Sequence, residues 1–291
     1  MSTKTATITV PWGFDGSVHS VEGFFTAVAQ TPPVDFYALD MKEVTFVSPY
    51  GVIAIIAVVR KLSATNGIPV QLQNLAPNVH SYLERMNLFR LGTAWLHPTA
   101  SLPEEWNRNP YTRNLLELSF IRDAGDVMAV ASRAEQIFAR WLMTPNVRHL
   151  VRVLSELCTN IYTHSGDPSG CILIQKYQGE TPDRIRLCLA VGDLGCGIRN
   201  SLSGRHGELY PGTLDYLNAA MNGYSARPTG RGGLGLRVVE EIVAAEGGYL
   251  WLRSDTAAIH TSGPGHQTGY SDLTRVPGTQ VAFEFVAALR I

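Results

Sequence analysis

The chain has 291 residues, room for two domains of ordinary size, and its 45% hydrophobic and 17% charged residues are the balance of a folded chain rather than a disordered one. A formal net charge of −1 gives no electrostatic case for nucleic acid or an anionic membrane surface, so neither is expected as a partner. The most apolar run, residues 52–59, falls far short of the roughly 20 residues that span a bilayer. No basic region followed by an apolar stretch opens the chain, so the expectation is a soluble cytoplasmic protein without a signal peptide.

Residues 7–10 alternate as a strand, and 20–29 form a helix that Pro32 and Pro33 end. Residues 36–39 and 44–47 are short apolar segments of strand formers, and Ser48-Pro49-Tyr50-Gly51 reads as a turn. Residues 52–64 are apolar on nearly every face, which predicts a buried helix closed by Asn66-Gly67. Residues 68–73 alternate as a strand, and 79–87 follow as a helix with Tyr82, Leu83 and Met86 on one face. Such strand–helix alternation predicts an α/β domain with a mostly parallel sheet. Residues 92–111, with Pro98, Pro103 and Pro110, read as a linker. It packs against something, because Trp95 and Trp106 are costly to expose.

A second domain begins at about residue 112. Residues 116–121 are a strand, 124–143 a long amphipathic helix and 147–164 another, with Leu150, Val151, Leu154 and Leu157 on its apolar face. Strands at 171–177 and 185–191, helices at 214–221 and 234–245, and strands at 249–253 and 279–286 complete it. Blocks of helices and blocks of strands favour an antiparallel or mixed sheet with helices on one face. Residues 254–277 read as a long polar insertion with a flexible tip. Cys158, Cys171, Cys188 and Cys196 make no C-x-x-C pair and read as reduced core thiols.

Three motifs carry chemistry. Glu156, Asn160 and His164 recur at i, i+4 and i+8 on one helix, a polar stripe while Leu150, Leu154 and Leu157 point elsewhere. A carboxylate there can take a proton from an attacking oxygen, and an Asn carbonyl one turn on is a hard ligand for Mg²⁺. Alone, the stripe reads more readily as a solvated face. Asp193, Gly195, Gly197 and Ile198 follow an apolar strand, so the carboxylate sits at a strand end where it can accept from an exocyclic amine such as adenine's. The glycines permit close approach and positive φ, although an Asp-Gly-rich run is more often only a turn. Gly230, Arg231, Gly232, Gly233, Leu234, Gly235 and Leu236 run into a helix, presenting free N–H groups and a positive dipole end to phosphate. The run is no P-loop, lacking the Gly-Lys-[Ser/Thr] end. It follows an irregular segment rather than a strand, which disfavours a dinucleotide fingerprint.

In this order the three motifs resemble the N, G1 and G2 boxes of the GHKL (Bergerat-fold) ATPases, and Gly278-Thr279-Gln280-Val281 resembles that family's closing Gly-Thr strand. The spacing of Glu156, Asn160 and His164 looks most like the anti-sigma-factor kinase branch. A sensor histidine kinase is disfavoured: no dimerisation helix pair with a phosphoacceptor His precedes the motifs, since His80 lies in a short helix and His149 in the nucleotide domain. The resemblance implies ATP and Mg²⁺ as ligands, with Glu156 as general base, Asn160 as the metal ligand and Asp193 as the adenine reader. It also implies that Gly195 and Gly197 shape the adenine pocket, that 232–236 cradle the phosphates, that 199–229 form a lid, and that Thr279 lies near the base. Arg231 or Arg205 adds charge at the phosphates or is a solvated lid residue. Relatives in this branch often dimerise, so a homodimer is an expectation.

The segment 40–51 and the run Leu83-Glu84-Arg85-Met86-Asn87-Leu88 resemble the STAS (anti-sigma-factor antagonist) domain. The expected organisation is thus a STAS-like α/β domain at 1–91, a linker at 92–111, and a Bergerat α/β sandwich at 112–291 with a mixed sheet covered by helices on one face. STAS domains are commonly substrates of these kinases through a Ser before the Gly at a helix start. Here Tyr50 stands in that place, behind Ser48 and Pro49. The implied function is an ATP-dependent switch acting on an unidentified regulatory protein, by slow hydrolysis, by Ser/Thr phosphorylation, or as a non-catalytic nucleotide-gated interaction module.

Overall fold

The computed structural model describes residues 3–11, 18–101, 115–208, 210–225, 235–245, 247–263 and 265–290. The chain divides into two compact units, Met1–Tyr111 and Thr112–Ile291.

The first unit runs β1 (Thr5–Thr9), α1 (Val18–Gln30), β2 (Phe36–Asp40), α2 (Pro49–Asn66), β3 (Val70–Gln73), α3 (Pro77–Arg85), α4 (Leu88–Leu91) and β4 (Leu96–Pro98). The strands form a sheet in the order β1-β2-β3-β4, every pair parallel, as strand–helix alternation requires. α2 is its central helix, with Val52, Ala54, Ile55 and Val59 wholly buried. Ser48-Pro49-Tyr50-Gly51 is not a separate turn but the start of this helix. The Ser48 hydroxyl caps it by accepting from the Gly51 N–H at 3.1 Å, and Pro49 fills the first helical position. Gly67, at φ 73°, ends it in the left-handed region and donates to the Ser63 carbonyl. Residues 44–47 form no strand. Val44 and Val47 instead point into the core from an irregular segment. The expected linker contributes β4, whose pairing with β3 completes the sheet, and Arg60 lies over the Trp95 ring at 5.1 Å. Trp106, Pro103 and Pro110 lie outside the described residues.

The second unit runs β5 (Leu115–Phe120), α5 (Ala124–Phe138), α6 (Thr144–Asn160), β6 (Cys171–Gln178), β7 (Arg184–Gly192), α7 (Gly197–His206), α8 (Thr213–Met221), α9 (Gly235–Ala245), β8 (Tyr249–Asp255), β9 (Ala257–Thr261), β10 (Gln267–Tyr270) and β11 (Val276–Ala288). The seven strands lie in the order β10-β9-β8-β11-β7-β6-β5. Every neighbouring pair is antiparallel, so the mixed sheet expected from the family resemblance is corrected to a wholly antiparallel one. One face of the sheet, including Ile172, Leu189, Phe283, Phe285 and Leu250, shares a core with Val130, Ile137, Leu150, Leu154 and Val243 of the helices.

Two expectations change. The helix expected over 124–143 stops at Phe138. Leu142 is drawn into a bridge with Leu289 and the Trp141 carbonyl accepts from the Arg290 N–H, while the Leu142 N–H still donates to the Phe138 carbonyl at 2.9 Å. The insertion 254–277 is not a flexible tip. It supplies β9, β10 and the start of β11, and Ile259 is fully buried. The added strands also support α8: Gln267 Nε2 donates to Asn218 Oδ1 at 2.9 Å, and a Cβ on Gly269 would come within 2.9 Å of Leu214.

Candidate functional site

α6 supplies one wall of a cleft. Val153, Leu154 and Cys158 commit one side of the helix to the core, which leaves Glu156 and Asn160 one turn apart on the cleft side. Past Asn160 the helix widens into a π-turn, Ile161–Ser165, closed by Gly166 at φ 71°. His164 lies in that turn rather than on a strict α-helical stripe, yet it still lines the cleft.

Asp193 stands just past the end of β7, buried at 6% exposure. Its backbone N–H donates to the Thr279 carbonyl at 2.9 Å. Its carboxylate Oδ1 accepts from the Gly195 N–H at 2.8 Å and the Thr279 N–H at 3.3 Å. The side chain is thereby held at a fixed angle on the cleft wall, beside Thr279 of β11. Cys196 donates its N–H to the Ser165 carbonyl at 2.8 Å, which ties the Asp193 loop to the end of the α6 helix.

The glycines have specific causes. A side chain on Gly195 would overlap the Ser165 carbonyl. Gly197 has φ 75°, and a Cβ there would sit 2.9 Å from Ser254 Oγ. Gly235 opens α9 directly against Glu156: a Cβ would lie 2.5 Å from Oε2. The α9 N-terminus and the Glu156 carboxylate therefore share one corner, which suits the charge to the helix dipole. Ile198 and Leu236 line the cleft as apolar floor. Arg231, Gly232, Gly233 and Leu234, and residues 226–229 of the expected lid, lie outside the described residues. The described part of the lid is α7, α8 and the turn to Ser225, and Arg205 is not among the lining residues.

Sequence reading missed several residues that position the others. Asp167, buried, accepts the Leu194 N–H at 2.7 Å on Oδ2 and the Ser169 N–H at 2.9 Å on Oδ1. Ser254 accepts the Ile198 N–H at 3.0 Å and donates to the Gly278 carbonyl at 2.9 Å. Gln280, wholly buried, donates from Nε2 to the Asp193 carbonyl at 3.0 Å. Only Asp167 had a local signal, an Asp two residues after a Ser next to a Gly. The others act across long sequence separations.

Among the described residues the lining carries two carboxylates, Glu156 and Asp193, and no lysine or arginine. Burial, with the Asp193 charge beside it, pushes the Cys196 thiol up. Cys196 is exposed rather than a core thiol, whereas Cys158 is buried and burial pushes its thiol up to about 12. No group of three or more His, Cys, Asp and Glu able to hold a metal occurs among the described residues. No helix there is long and apolar enough to cross a membrane.

No curated protein matches the chain significantly. Residues 146–287 match the family model described as Histidine kinase-, DNA gyrase B-, and HSP90-like ATPase. That span runs from α6 to β11 and contains all three motifs of the cleft, so this segment of the chain is a domain of the GHKL type.

Proposed function

We propose that the second unit binds Mg-ATP in this cleft and that the bound nucleotide switches an unidentified regulatory protein. The observation that supports it is convergence: Glu156, Asn160, His164, Asp193, Gly197, Gly235 and Thr279, from four separate stretches of sequence, line one cleft. In this reading Asp193 accepts from the adenine amine, its angle fixed by two backbone N–H groups. The start of α9 receives the phosphates.

The donor set suits Mg²⁺ better than a metal caged by protein alone. Mg²⁺ keeps waters and substrate phosphates as ligands and needs only one or two groups from the chain, here the Asn160 carbonyl. When bound it neutralises charge on the phosphates. Glu156 then takes the proton from the attacking oxygen, of water for hydrolysis or of a Ser or Thr hydroxyl for phosphorylation.

The first unit, in this proposal, is a STAS-like docking module rather than a phosphoswitch. Tyr50 is only 3% exposed and Ser48 is committed to capping α2, which favours a fixed role for both.

Equilibrium binding of a fluorescent ATP analogue, with and without Mg²⁺, tests the site. Asp193→Ala is expected to weaken binding by at least about tenfold, the scale of a lost charge-assisted hydrogen bond. Unchanged affinity would sink the assignment of Asp193. Turnover of ATP by Glu156→Gln separates catalysis from gating: a wild-type rate lost in the variant supports the enzyme, and equal near-zero rates support a nucleotide-gated interaction module.

A further inference from the structure

Tyr224 lies at the end of the turn after α8 and lines the same cleft as Asp193. It is 50% exposed, so its ring faces open space on that side. The turn that delivers it is tightly specified. Gly223 takes φ 97°, and the Tyr224 N–H donates to the Ala219 carbonyl at 3.0 Å. The next residue is pinned as well: His206 Nε2 donates to the Ser225 carbonyl at 2.9 Å.

Two other tyrosines lie near the turn. Burial, with the Tyr224 hydroxyl beside it, raises the Tyr210 hydroxyl above its ordinary value. Tyr210 packs edge-on to Tyr216, with ring centroids 5.2 Å apart. Tyr216 is fully buried and donates to Glu208 Oε2 at 3.2 Å. A ring delivered by a turn whose backbone is fixed at Gly223 and at the Tyr224 N–H loses little freedom when a ligand covers it, so the contact is pre-organised. Ile198, Leu202 and Ala220, also on the cleft wall, add apolar surface without hydrogen-bonding groups on their side chains.

Building on the nucleotide reading of the cleft, we propose that Tyr224 is a specificity residue that stacks on the face of the purine base whose edge Asp193 reads. A base held by its edge has two π-faces to bury, and an aromatic ring with an apolar wall in the same cleft is the surface that buries them.

Binding to the full chain tests this with two ligands, ATP and the base-less ribose 5-triphosphate, both with Mg²⁺. Tyr224→Leu is expected to weaken ATP by about tenfold while changing ribose 5-triphosphate by less than about twofold, and Tyr224→Phe, which keeps the ring, to stay within about threefold of wild type for both. Half the side chain is exposed, so Leu opens no core cavity, and unchanged urea unfolding checks that the fold is intact. ATP affinity unaltered by Tyr224→Leu would overturn the role. So would equal weakening of both ligands, which would make the ring a prop for the phosphate end. Failure of the wild-type chain to bind ATP would overturn the nucleotide reading itself, and this role with it.

Discussion

At Gly195 the neighbouring backbone leaves no room for a side chain, because the Ser165 carbonyl occupies the place of a Cβ. The same carbonyl accepts the Cys196 N–H, so it cannot move aside without losing that bond. Gly195→Ala is therefore expected to destabilise the fold by about 2 kcal/mol, as overpacking of a fixed backbone does, and to lower affinity for the ATP analogue with it. Urea unfolding measures the first; a midpoint equal to wild type would show that the loop yields freely. Gly278 is constrained similarly: φ is 79°, and a Cβ would lie 2.6 Å from Asp193 Oδ1. Sequence reading marked Gly195 and Gly197 as places of close backbone approach, a local property of glycine. It could not name Ser165 or Ser254 as what approaches, because those contacts join residues far apart in the chain.

At the scale of elements, the strong helices and strands followed from periodicity, and the errors fell where tertiary bonds override it. The 124–143 pattern is helical throughout, but past Phe138 the Trp141 carbonyl accepts from Arg290 and Leu142 bridges to Leu289, which turns the chain out of the helix. β9 (Ala-Ala-Ile-His-Thr) and β10 (Gln-Thr-Gly-Tyr) are short and carry no clear alternation, and pairing of β9 to β8 and of β10 to β9 makes them strands. The register of β7 against β11 has a consequence of its own. It sets Glu284 opposite Cys188, whose thiol donates to Glu284 Oε2 at 3.5 Å, with Arg186 Nε 3.5 Å from the same oxygen. Burial raises the Glu284 carboxyl above the usual range, and Arg186 only partly offsets it. The folded state then holds the proton more tightly than the unfolded chain, so this group's stabilisation is full at low pH and is lost as pH rises through the folded-state value. Glu284→Gln removes that dependence. Its urea midpoint relative to wild type is expected to be higher at about pH 7 than at about pH 4. A difference independent of pH would contradict the raised carboxyl.

For the whole molecule, two units on one chain raise the question of whether one modifies the other. The burial of Tyr50 and the capping bond of Ser48 argue that neither hydroxyl is available as an acceptor. Full-length protein incubated with Mg-ATP is expected to carry no phosphate on Ser48 or Tyr50 by phosphopeptide mass spectrometry. Stoichiometric phosphate on either would make the first unit a substrate rather than a docking module.

From the chain alone come two α/β units, a parallel sheet in the first, and a set of candidate polar residues of which Glu156, Asn160, His164 and Asp193 line the cleft. These follow from composition, from local periodicity, and from motifs short enough to read in one stretch. Only the tertiary structure decided that the second sheet is wholly antiparallel, that 254–277 extends it, that Gln280 and Asp167 brace the Asp193 loop, and that Tyr224 reaches the cleft. The reason is common to all four. Strand partners, bracing hydrogen bonds and cleft walls join residues distant in the chain, and no local pattern encodes which distant groups will meet.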